Sequence, residues 1–126
     1  MKKTSCVLLA VLVTSAFAQS FDARVINKSS CTLKHEHSGH TTEVKNHTAT
    51  KTILEKSTGN LHADVQSTSV WYDTYTVTCP GSSSSSMSII FDRMTGDDTI
   101  TMPMFGTKFD VEWASYTSDD IIVTNK

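Results

Sequence analysis

The stretch Val70-Trp71-Tyr72-Asp73-Thr74-Tyr75-Thr76-Val77-Thr78-Cys79 decides the fold. Trp71, Tyr75, Val77 and Cys79 fall on alternate positions with Tyr72, Thr74, Thr76 and Thr78 between them. A period of two puts the two sets on opposite faces of a β-strand. Aromatic and β-branched residues suit such a pleated, half-buried surface. Asp73 falls on the apolar side. A carboxylate in that position is expected at a solvated rim of the sheet, with a bulge or a hydrogen-bonded site as the alternatives.

The same alternation recurs along the chain. Cys31 and Leu33 alternate with Thr32 and Lys34; Leu61, Ala63 and Val65 with His62 and Asp64; and Phe109, Val111 and Trp113 with Asp110 and Glu112. Turn-forming clusters separate these runs at 27–30, 38–39, 57–60, 80–86, 95–98, 105–106 and 118–120. The spacing predicts strands near 21–27, 31–37, 50–55, 61–65, 69–79, 87–92, 98–104, 107–115 and 120–124. After residue 18, Ser and Thr dominate, and Val and Ile far outnumber the three leucines Leu33, Leu54 and Leu61, a balance that disfavours helices. The expected fold is all-β, a small antiparallel β-sandwich of about 7–9 strands, with a small barrel as the alternative.

A chain of 126 residues fits one domain. Its start differs from the rest. Lys2 and Lys3 precede an unbroken apolar run from Val7 to Val13, and Ala16-Phe17-Ala18 supplies a small-x-small cleavage pattern, so 1–18 reads as a signal peptide and 19–126 as the secreted domain. The apolar run falls short of the roughly 20 residues that span a bilayer, and no transmembrane anchor is expected. Loss of the two lysines takes the formal net charge from −2 to −4, the wrong sign for a nucleic-acid partner. Cys6 leaves with the signal. Cys31 and Cys79 remain as an even pair in an oxidising compartment, which predicts a disulfide between them beside the core. Asn27-Lys28-Ser29 and Asn46-His47-Thr48 satisfy the glycosylation sequon, so Asn27 and Asn46 are candidate glycan sites in a eukaryotic source.

Four of the five histidines, His35, His37, His40 and His47, lie between positions 35 and 47. On one strand His35 and His37 share a side. His40 could fold back across a turn at Ser38-Gly39 with Glu43 completing a set suited to zinc or copper. The plainer reading is that these histidines mark where the strand face leaves the core, and no cofactor is the leading expectation. Asp92, Asp97 and Asp98 around Gly96 could offer oxygens to calcium but read as a solvated hairpin turn without EF-hand spacing. Asp110 and Glu112 read as outward charges rather than a glycosidase pair. The sequence contains no Gly-x-Ser-x-Gly, no phosphate-cradling glycine loop and no His-Glu-x-x-His.

Met102, Met104 and Phe105 form an apolar stretch at a turn, with Trp113 and Tyr116 a few residues on. These five are candidate ligand or membrane contacts, with ordinary core packing as the plainer account. The reading that unites these observations is a small secreted non-enzymatic binding protein, effector-like, adhesion or lectin-like, whose partner is an extracellular protein, a glycan or a membrane surface. The alternatives are a membrane-perturbing β-sandwich toxin using the 102–105 loop, and a metal-binding protein or metal-dependent enzyme built on His35, His37 and His40.

Overall fold

A computed structural model of the chain describes residues 19–40 and 43–126; the expected signal peptide lies outside the described residues. Ten strands follow one another: β1 (Gln19–Asn27), β2 (Thr32–His40), β3 (Lys45–Ala49), β4 (Thr52–Ile53), β5 (Thr58–Val65), β6 (Val70–Thr78), β7 (Ser85–Asp92), β8 (Thr99–Thr101), β9 (Phe109–Trp113) and β10 (Ile121–Asn125). They form two five-stranded sheets, ordered β3-β5-β1-β10-β9 and β4-β2-β6-β7-β8, in a sandwich-like arrangement. Alternation drives the burial as expected. β1 buries Phe21, Ala23 and Val25, β5 buries Leu61, Ala63 and Val65, and β7 buries Met87, Ile89 and Phe91, while the residues between them face outward. The inner faces meet in one apolar cluster that holds Leu33, Trp71, Tyr75, Phe109 and Ile121 from the other strands. Phe21 joins two other aromatics there, with ring centroids 4.9 Å from Trp71 and 4.5 Å from Phe91, separations at which tilted aromatic pairs are favourable.

Several boundaries differ from the sequence reading. β3, in the polar run Lys45-Asn46-His47-Thr48-Ala49, has too few apolar residues for alternation to reveal it, yet it pairs with β5 at the edge of its sheet. The expected strand at 50–55 shrinks to the two residues of β4, and that at 98–104 to the three of β8. β1 and β10 pair in parallel, with Val25 opposite Ile121, so the first and last strands lie side by side in an otherwise antiparallel sandwich.

The turn expected at Ser38-Gly39 is absent. β2 continues to His40 because Gly39 lies opposite Tyr72 of β6, where a Cβ would collide with the Tyr72 ring; the glycine makes room for an aromatic neighbour instead of reversing the chain. The disulfide joins Cys31 to Cys79, one step beyond the Thr32–Thr78 pair, and so ties β2 to β6 within a single sheet. Both cysteines are buried.

Candidate functional site

Two polar assemblies stand out. The first is built on Asp73, at the middle of β6. Flanked by Trp71 and Tyr75 on the inner face, it is 0% exposed and not at the solvated rim that was expected. Three side chains satisfy its carboxylate. His35 Nε2 lies 2.9 Å from Oδ1, His47 Nε2 lies 3.1 Å from each oxygen, and the Ser38 hydroxyl donates to Oδ1 at 2.6 Å. Burial acts to raise the Asp73 pKa, but the hydrogen bonds from His47, Ser38 and His35 outweigh it and hold the carboxyl below its ordinary value.

Two irregularities in the strands assemble this cluster. Between His35 and His37 the β2–β6 register shifts, so that His35 faces Tyr75 and His37 faces Thr74. One extra residue on β2 turns the strand over. His35 therefore stays on the inner face, Ser38 is brought there opposite Asp73, and His37 moves to the outer face, where its ring meets Tyr72 at 5.9 Å. A second shift separates Lys45 from Thr48 on β3, with Asn46 at φ 51°, a left-handed conformation that asparagine tolerates. His47 then points inward from the opposite sheet.

The expected set of His35, His37 and His40 is thus not brought together. His37 lies on the other face, and His40 is exposed at the end of β2. Glu43 reaches Ser69 only through its backbone carbonyl. His35 and His47 act as hydrogen-bonding partners of one carboxylate. Among the described residues, no group of three or more His, Cys, Asp or Glu is arranged to hold a metal ion. Nor does Ser38 form a nucleophile triad with these neighbours, because its hydroxyl donates directly to Asp73 while the same His35 Nε2 approaches both groups. A general base must be free to take that proton. The Tyr75 hydroxyl, buried nearby, has no hydrogen-bond partner among the described residues, and burial together with the Asp73 charge pushes its pKa upward.

The second assembly is a cleft of about 460 Å³ lined by Asp98, Trp113, Ser115, Tyr116, Ser118 and Asp119. The connection between β9 and β10 builds most of it. Asp120 anchors this connection to β1 by accepting from the Arg24 amide at 2.8 Å and from its guanidinium at 3.0 and 2.8 Å, and the Ala114 amide closes the loop onto the Asp120 carbonyl. Trp113 closes β9 with its ring 6.1 Å from Phe91, and Tyr116 stands fully exposed at the tip. Behind the cleft, the Arg93 guanidinium lies over the rings of Phe21 and Trp71 and reaches Asp98 at 3.3 Å and Asp119 at 3.6 Å. Burial raises the Asp98 carboxyl above its ordinary value and the Asp119 charge adds to this, against the lowering effect of the Asp92 amide and Arg93.

Of the five expected contact residues, Trp113 and Tyr116 meet in this cleft and the other three lie elsewhere. Met102 packs partly against the core, whereas Met104 and Phe105 are 83% and 85% exposed on the loop after β8. Ser118 and Asp119 read in the sequence as turn residues, and their place a few residues after Trp113 and Tyr116 is the signal that marks them. Asp110 and Glu112 are exposed on the outer face of β9, as expected. Asp92 and Asp98 organise the β7–β8 turn, with Asp92 accepting from the Thr95 amide and Asp98 from the Asp92 amide.

Asn27 is not available to a glycan in this fold. It is 1% exposed, its amide donates to the carbonyls of Cys31 and Leu54, and its carbonyl accepts from the Ser29 amide and hydroxyl, so the sequon is a buried Asx turn. Asn46 is exposed. No protein-family model matches the chain, and no curated protein matches it.

Proposed function

We propose that this is a small secreted, non-enzymatic binding protein of lectin-like character that takes a saccharide in the cleft between Trp113, Tyr116, Asp98 and Asp119. One observation carries the reading: a fully exposed tyrosine and a half-buried tryptophan stand beside carboxylates and serine hydroxyls in a cleft of about 460 Å³. Sugars present an apolar C–H face and a rim of hydroxyls, and a site of this composition can stack the first and hydrogen-bond the second. Support for life outside the cell comes from the amino-terminal pattern and the disulfide. Asn46 is the remaining candidate for glycosylation.

A panel of immobilised saccharides tests this reading. Binding is expected to at least one of them, with at least a tenfold loss on Tyr116→Ala, a substitution at a fully exposed position that leaves the core intact. Silence across the panel would refute it. Exposure of Met104 and Phe105 favours one further reading, contact with a membrane surface, for which dye release from lipid vesicles that is abolished by Phe105→Ser is the check.

A further inference from the structure

Resting on that reading, we infer that the saccharide is a cationic one, an amino sugar with a free ammonium group, and that Asp119 is the group that selects it. The cleft carries an imbalance of charge. Asp98 and Asp119 share one cation, Arg93, at 3.3 and 3.6 Å, and that guanidinium is held against Phe21 and Trp71 on the core side. Asp120, the next carboxylate, is already matched by Arg24. Two carboxylates in contact with each other against one guanidinium leave one formal negative charge over beside the cleft.

The side chains differ in how far they can serve a ligand. Asp98 is 17% exposed and accepts from the Asp92 amide as well as from Arg93, so its oxygens are largely committed. Asp119 is 39% exposed, and its contact with Arg93 is the longer of the two. It is the carboxylate with capacity to accept from something new. Around it, the faces of Trp113 and Tyr116 are electron-rich and favour a cation, while the Ser115 hydroxyl is placed for a neutral hydroxyl on the ligand.

A pyranose ring with an ammonium substituent meets these demands together: its C–H face lies on the aromatics, its charge meets Asp119, and its hydroxyls meet the serines. A neutral N-acetylated sugar leaves the surplus charge unmatched and puts a methyl group against a carboxylate. An acidic sugar is repelled.

The experiment is calorimetric titration of the purified protein at low salt with tetrasaccharides of glucosamine, N-acetylglucosamine and galacturonic acid. The glucosamine tetramer is expected to bind at least tenfold more tightly than the N-acetylated one, roughly the worth of one charge-assisted hydrogen bond, with a margin that shrinks as salt is added. No binding is expected for the acidic tetramer. Asp119→Asn should bring the two hexosamine affinities to within about twofold of each other, and Tyr116→Ala should weaken both. Equal affinities in the unaltered protein, or preference for the acetylated or acidic tetramer, would overturn the selection by charge and leave the saccharide reading standing. Binding of none of the three, while a neutral saccharide on the panel binds, would overturn it equally; silence of every saccharide would remove both.

Discussion

Replacing Asp73 by Asn tests whether the buried carboxylate holds β3 of one sheet to β2 and β6 of the other. The substitution keeps the volume and removes the charge. In the folded protein that charge accepts from His35 on β2, Ser38 on β2 and His47 on β3, and the last of these belongs to the opposite sheet. A hydrogen bond to an ionised group contributes about 1.5–3 kcal/mol; an Asn oxygen at the Oδ1 position still faces His35 and Ser38 but is uncharged, and the NH2 group at the Oδ2 position is set against His47 Nε2. The cost is set at about 3 kcal/mol, near the lower end of what breaking a buried charged pair costs. For a domain of this size, with a urea slope of about 1.5 kcal/mol/M, the unfolding midpoint should fall by about 2 M. Fluorescence of buried Trp71 reports the transition.

The pH dependence has a definite sign. Asp73 has a lower pKa folded than unfolded, so its contribution is present above the ordinary carboxyl value of 3.8 and is lost as pH falls through the folded value. Asp22, Asp92 and Asp120 are shifted the same way and Asp98 the other way, so only the difference between the two proteins isolates Asp73. That difference should be present above pH 3.8 and shrink as pH falls below it. A midpoint change under about 0.5 M at pH 7, or a difference that keeps its full size well below pH 3.8, would refute the account of the cluster.

Asn27→Ala removes an amide bonded to the carbonyls of Cys31 and Leu54, leaves the Ser29 amide without its acceptor, and should cost about 2–4 kcal/mol by thermal unfolding. Peptide mapping of protein from a glycosylating host should find Asn27 bare and any N-glycan at Asn46. Opening the Cys31–Cys79 bridge, which spans 48 residues, should lower stability by about 4 kcal/mol, read as a shift of the urea midpoint with and without reductant. Gly39→Ala should destabilise by about 1–3 kcal/mol because the new methyl meets the Tyr72 ring, and the loss should be relieved in a Tyr72→Ala background, as a double-mutant cycle would show.

Alternation of apolar and polar residues was enough to reveal the strands that bury a face, such as Leu61 to Val65 or Met87 to Phe91, because side-chain direction along a strand is a local property with a period of two. It was also enough, with the cysteine count, to predict a two-sheet fold and the Cys31–Cys79 bridge. The aromatic pair Trp113 and Tyr116 stood out for the same reason, being a matter of composition at one turn. Which residues meet across the molecule was decided elsewhere. A single extra residue in β2 sends His37 outward and brings Ser38 in, and the edge pairing of β3 carries His47 across from the other sheet to Asp73. In the same way, Asp98 joins Asp119 only because the β7–β8 turn, which carries Arg93, and the β9–β10 connection converge. Register shifts and strand order follow from long-range pairing energies summed over the whole sandwich, and a one-residue slip reverses every side chain beyond it, so these juxtapositions exist only in the folded chain.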